Sequence, residues 1–302
     1  MKQLLVLLMI LSASRAQAAL KVVASVTDLK SLVQLVGKDQ VEVESIGKGT
    51  QDPHFIDAKP SFMTRVAKAN LVVCIGLGLE DAWLNSVIEG ARNPDVRMNA
   101  KGYLAVGPKL GPEQIPQGSA LSRSQGDVHP EGNPHLLLDP KRYGEAATLV
   151  ASKLAELDPA HAEFFFKNAD GFRKSLEQKT ASWKARVVKS GVKRAVTYHR
   201  TLDYFLKRMG IELLTVLEPK PGIAPSVNHL STVIEKMKAN GTRLVLVENF
   251  FNPDVARKVK ELYPEAEVRL VPVSVEGAPE MPAMESVFEN LVKAIETAGA
   301  KP

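Results

Sequence analysis

PAHAEFFFKNADGFRKSLEQKTASWKARVVK, residues 159–189, is the stretch on which the architecture turns. It is rich in Ala, Lys, Glu and Phe, and it is compatible with helix throughout. At about 1.5 Å per residue, a helix of about 31 residues reaches about 46 Å. That exceeds the width of one small domain, so the helix is expected to run along two. Gly171 in its interior costs about 1 kcal/mol relative to Ala. Short apolar runs alternate with helical patterns on both sides of this stretch. Before it, strands are expected at 21–25, 41–46 and 71–75, with helices at Thr27–Gly37, 59–69, 80–90 and Pro140–Leu157. After it, strands are expected at 194–198, 212–217, 243–248 and 268–273, with helices at 201–209, Val227–Ala239, Pro253–Leu262 and 284–298. Such alternation predicts α/β architecture with parallel sheets. The order strand, helix, Gly37, strand is echoed by strand, helix, Gly210, strand. That weak repeat predicts two similar lobes joined by the long helix; one continuous sheet is the alternative.

A chain of 302 residues is long enough for about two domains. Hydrophobic residues at 45% and charged residues at 24% exclude wholesale disorder and collagen-like structure. The net charge is +5, but Lys and Arg are scattered, so the basicity does not predict nucleic-acid binding. Residues 1–18, MKQLLVLLMILSASRAQA, carry a basic start, an apolar run over 4–11 and a small-x-small site at Ala16-Gln17-Ala18. These are the three parts of a cleavable export signal. No later segment is long and apolar enough to span a bilayer. The single cysteine, Cys74, excludes an internal disulfide and a multi-Cys zinc cluster. No Cys lies near the cleavage site, so no lipid anchor is expected, and the product is expected to be soluble and periplasmic. The organisation expected is 1–18 signal, 19–158 N-terminal lobe, 159–190 linking helix and 191–302 C-terminal lobe.

Six histidines are the available imidazoles. His54 follows Asp52-Pro53, His135 follows Asn133-Pro134 at the end of the long Gly- and Pro-rich loop 107–133, and His199 directly follows a strand. Ligands of open parallel sheets bind beyond the carboxyl ends of strands. Neutral imidazole suits zinc and other late first-row metals. The spacing of these histidines matches no short zinc motif, and each alone is as compatible with a surface residue. Gly76-Leu77-Gly78 after a strand invites comparison with a dinucleotide fingerprint, but Asp81 stands where a third glycine is needed, so it reads as a turn.

Several ordered motifs carry a family resemblance. They are Asp52-Pro53-His54 with Pro60-Ser61, Gly76-Leu77-Gly78-Leu79-Glu80, and Asn133-Pro134-His135 with Leu138-Asp139-Pro140. Tyr198-His199 with Tyr204-Phe205, Glu218-Pro219 with Pro225-Ser226, and residues 246–249 complete the set. Together they resemble the metal-binding solute receptors of zinc and manganese ABC importers, over nearly the whole chain after residue 18. The resemblance implies two α/β lobes bridged by one long helix, with metal between them. It implies His54, His135 and His199 as ligands, an inner-membrane ABC permease as partner and no enzymatic activity. A fourth ligand, commonly Asp, follows the last strand in such receptors. Here residues 271–277 read VPVSVEG, leaving Glu276, Glu248 or water for that role. Three imidazoles imply Zn2+ ahead of Mn2+, whose receptors usually place an acid at the position of His199. The chain is expected to act as a monomer. The competing readings are a secreted zinc hydrolase, disfavoured by the lack of HExxH, and an adhesin.

Overall fold

The computed structural model describes residues 18–116 and 128–299. The expected export signal lies outside them except for Ala18. Two separate four-stranded parallel sheets are present. The first is ordered β2-β1-β3-β4, built from β1 (Leu20–Ala24), β2 (Val41–Ser45), β3 (Leu71–Cys74) and β4 (Tyr103–Ala105). The second is ordered β6-β5-β7-β8, built from β5 (Arg194–Thr197), β6 (Glu212–Val216), β7 (Leu244–Glu248) and β8 (Glu267–Val271). The two orders are the same when counted from each lobe's first strand. The weak repeat therefore marks two lobes of common topology, and the single continuous sheet is excluded.

The long helix forms. After a turn of 3-10 helix at Pro159–His161, α5 runs unbroken over Ala162–Ser190. Gly171 interrupts nothing, because it faces open space. Gly191 closes the helix in the left-handed conformation at φ 75°, the usual way a glycine ends a helix. The remaining helices are α1 (Thr27–Gly37), α2 (Pro60–Val66), α3 (Leu84–Ala91), α4 (Pro140–Leu157), α6 (Asp203–Met209), α7 (Val227–Ala239), α8 (Pro253–Leu262) and α9 (Met284–Gly299). β4, which sequence reasoning left unassigned, is three residues long.

Strand periodicity sorts the side chains into three cores. In β1, Val22 and Ala24 face one way and Val23 the other; in β3, Leu71 and Val73 oppose Val72 and Cys74. β5 and β7 do the same, with Ala195, Leu244 and Leu246 opposed to Val196, Val245 and Val247. The outer faces pack on α2 and α3 in one lobe and on α7 and α8 in the other. The inner faces of both sheets belong to one continuous core with α1, α4, α5, α6 and α9. At its centre Phe288 of α9 meets Tyr143 at 6.2 Å, Trp183 at 5.5 Å and Phe205 at 6.2 Å between ring centroids. Those rings come from α4, α5 and α6. Trp183 also donates a hydrogen bond to Glu289 at 2.8 Å. Cys74 is buried, donates to the Tyr103 hydroxyl at 3.1 Å, and burial pushes its thiol pKa well up.

Polar contacts join the lobes at the rim of that core. Arg208 of α6 clasps Asp139, the N-cap of α4, through two bonds of 2.8 and 2.7 Å. The Val275 amide donates to Asp28 at 2.7 Å, and Thr27 donates to the Val275 carbonyl at 2.6 Å. Burial raises the Asp28 pKa to about 7. Gly49 comes so close that a Cβ there would lie 2.0 Å from the Val275 oxygen, so no larger residue fits.

Phe288→Ala removes the ring common to four helices and is expected to cost about 3–5 kcal/mol. Because the core is shared, chemical denaturation should show one cooperative transition moved to lower denaturant. Loss of one lobe with the other intact would contradict the shared core.

Candidate metal centre

Each of the three histidines is positioned by a local device. Asp52 accepts the His54 amide at 3.0 Å and the His54 Nδ1–H at 2.6 Å, closing a turn around Pro53. The Pro53 carbonyl is pinned by the Trp83 indole N–H at 2.9 Å, a role beyond packing. Asn133 accepts the His135 amide at 3.0 Å. Its side-chain amide reaches across to the Arg200 carbonyl at 3.0 Å, and its own carbonyl takes the Tyr204 hydroxyl at 2.9 Å. His199 leaves β5 where Thr197 donates to its carbonyl at 2.5 Å, and its Nδ1 is held by Glu218, just past β6.

These devices bring His54, His135 and His199 together. All three are buried, and one ligand nitrogen from each lies within 4.8 Å of the others. Ring centroids are 5.3 Å apart for His54 and His135, 5.7 Å for His54 and His199, and 5.2 Å for His135 and His199. With Nδ1 of His54 and of His199 committed to carboxylates, Nε2 is the nitrogen each has to offer. The buried Nε2 of His135 has no hydrogen-bond partner among the described residues. A carboxylate on the far nitrogen of a ligating imidazole fixes its tautomer and raises its basicity. The donor set thus fits a late first-row divalent cation.

The electrostatics are divided. Burial, together with the neighbouring charges of His199, His54 and His129, lowers the His135 pKa well below 6.5. Burial works in the same direction on His199, but the hydrogen bond and charge of Glu218, with Glu248 and Asp52, outweigh it and raise that pKa. Glu248 is wholly buried beside His199 and Thr201, and burial raises it to about 7. Neither Asp52 nor Glu218 was singled out as a ring-orienting group by sequence reasoning. Asp52 was legible as the neighbour of His54, whereas Glu218 depends on the pairing of β5 with β6.

Glu276 stands apart from this group. It is half exposed, at φ 60°, and paired with Lys30 of α1 at 2.7 Å. It is not part of the group formed by His54, His135 and His199. Glu248 is near but does not join the converging nitrogens. His129 reaches His54, Nε2 to Nε2 at 3.1 Å. His161 instead pairs with Asp158 at 2.6 Å. The Gly76-Leu77-Gly78 turn is no phosphate cradle, since the Ile75 and Gly76 amides are taken by the buried Glu80 carboxylate at 2.8 and 2.9 Å.

Comparison with known proteins gives a consistent picture. The sequence profile of the family described as Zinc-uptake complex component A periplasmic, ZnuA, matches residues 22–298. The manganese ABC transporter substrate-binding lipoprotein PsaA of Streptococcus anginosus is 25% identical over 235 residues, 76% of this chain and 72% of its own. The iron ABC transporter substrate-binding lipoprotein MtsA of Streptococcus pyogenes is similar to the same extent, 25% over 235 residues with 76% and 72% covered. A crystal structure of ZnuA superposes with a TM-score of 0.76 at 21% identity, covering 93% of this chain and 100% of that one, which shows a common fold.

Glu218→Gln keeps the shape of the contact on His199 and removes its charge. Metal affinity measured by calorimetry is expected to fall about 10- to 100-fold. Unchanged affinity would mean that Glu218 does not act on the ring.

Proposed function

This chain belongs to the zinc-uptake complex component A periplasmic family, a family of solute receptors and not of enzymes, and on that premise we propose that it is a periplasmic zinc receptor. It binds Zn2+ as cargo through His54, His135 and His199 and delivers it, as a monomer, to an ABC permease in the inner membrane. The observation that carries this reading is the convergence of three buried imidazoles, two of them backed by carboxylates. Relatives are named for manganese and for iron, so the choice of metal rests on the donor atoms. Nitrogen donors suit zinc, whereas manganese favours carboxylate, carbonyl and water.

His54→Ala, His135→Ala and His199→Ala are each expected to weaken zinc binding severely in a chelator-competition titration. Manganese is expected not to displace zinc from the wild-type protein at equal concentration. Unchanged zinc affinity in all three variants would sink the site, and displacement by manganese would sink the zinc assignment.

Binding should also expel a proton. The raised pKa of His199 means that a proton competes with metal there increasingly as pH falls. Zinc affinity should therefore begin to drop above the ordinary imidazole value of about 6.5 as pH is lowered, and recover as it is raised. Calorimetry in buffers of different ionisation enthalpy reads the released proton directly; an affinity flat between neutral and mildly acidic pH would contradict an imidazole site.

A further inference from the structure

Three imidazoles leave a four-coordinate ion one ligand short. Among the described residues no carboxylate joins their converging nitrogens. Asp52 and Glu218 are spent on the Nδ1 atoms, and Glu276 is paired with Lys30. Another imidazole, likewise outside the group of three, approaches one of its members. His129 stands with its Nε2 3.1 Å from Nε2 of His54, their ring centroids 5.2 Å apart, and its ring lies 6.5 Å from that of His135. Zinc–nitrogen bonds of about 2.0–2.1 Å in a tetrahedron place neighbouring donor atoms about 3.3 Å apart. The contact between His54 and His129 is thus close to one edge of such a tetrahedron.

The backbone prepares this approach. The His129 carbonyl accepts the Gly132 amide at 3.1 Å, a turn that leads straight into the Asn133 anchor of His135. On the other side the ring rests over Gly78, at φ 82°, where a Cβ would press on its Nδ1 at 3.3 Å. The glycine of the Gly76-Leu77-Gly78 turn therefore makes room for this ring.

We propose that His129 supplies the fourth ligand, through Nε2, so that the cation is held by four neutral imidazoles. This rests on the reading of His54, His135 and His199 as ligands. A set with no carboxylate leaves the full charge of the ion uncompensated at its ligands and offers nothing to a hard, oxygen-seeking cation. It therefore raises discrimination for zinc over manganese, and it explains how residues 271–277 can lack an aspartate.

Zinc-edge X-ray absorption on the zinc-loaded protein counts the imidazoles. Four are expected in the wild type and three in His129→Ala, with zinc affinity lowered about 10- to 100-fold, at least what losing an outer hydrogen-bond partner costs. His129→Asp restores a fourth ligand as oxygen and is expected to narrow the gap between zinc and manganese affinities. Circular dichroism of both variants should match the wild type. Three imidazoles in wild type and His129→Ala alike, with equal affinity, would overturn the role of His129 while leaving the three-histidine site standing. A wild-type spectrum without imidazole would overturn the site itself.

Discussion

The inner faces of both sheets share one apolar core, and everything at the cleft depends on it. Phe288, reached by rings from α4, α5 and α6, belongs to neither lobe alone. Interiors packed at this density resist continuous deformation. The lobes are therefore joined through a packed core and not only through the long helix. Arg208 on Asp139, and the loop at Val275 on Thr27 and Asp28, repeat that constraint in polar form. Histidines from different lobes can then meet within 4.8 Å without the metal having to draw them together.

Pre-organisation has an electrostatic cost that the site offsets locally. Burial keeps His135 neutral, and repulsion from the closely packed neighbouring imidazoles adds to it. Glu218 and Asp52 counter it from behind the His199 and His54 rings. The carboxylates occupy the Nδ1 atoms and leave the Nε2 atoms facing inward, so charge compensation and ligand orientation are one arrangement.

Much of this was legible in the sequence. The bounds of α1, α4, α7 and α8 coincide with those expected from the sequence, α1 ending on Gly37 as its spacing predicts. The three histidines were marked by their places after strands and prolines, and by resemblance. β4 was not legible, because three residues carry no periodicity. The start of α5 was displaced because Pro159 opens a 3-10 turn before the helix proper. The pairing of Glu276 with Lys30 spans 246 residues and has no local signature. His129 was legible only as an imidazole close in sequence to His135; its approach to His54 spans 75 residues.

Cys74 gains meaning from its burial. Its thiol is closed inside β3 beneath Tyr103, with its pKa pushed well up, so little thiolate exists to be oxidised or to capture a soft metal. A chain with a single cysteine has no internal disulfide to complete, in an oxidising compartment or a reducing one. Among the described residues no thiol is left accessible whose state could follow the redox poise of the surroundings.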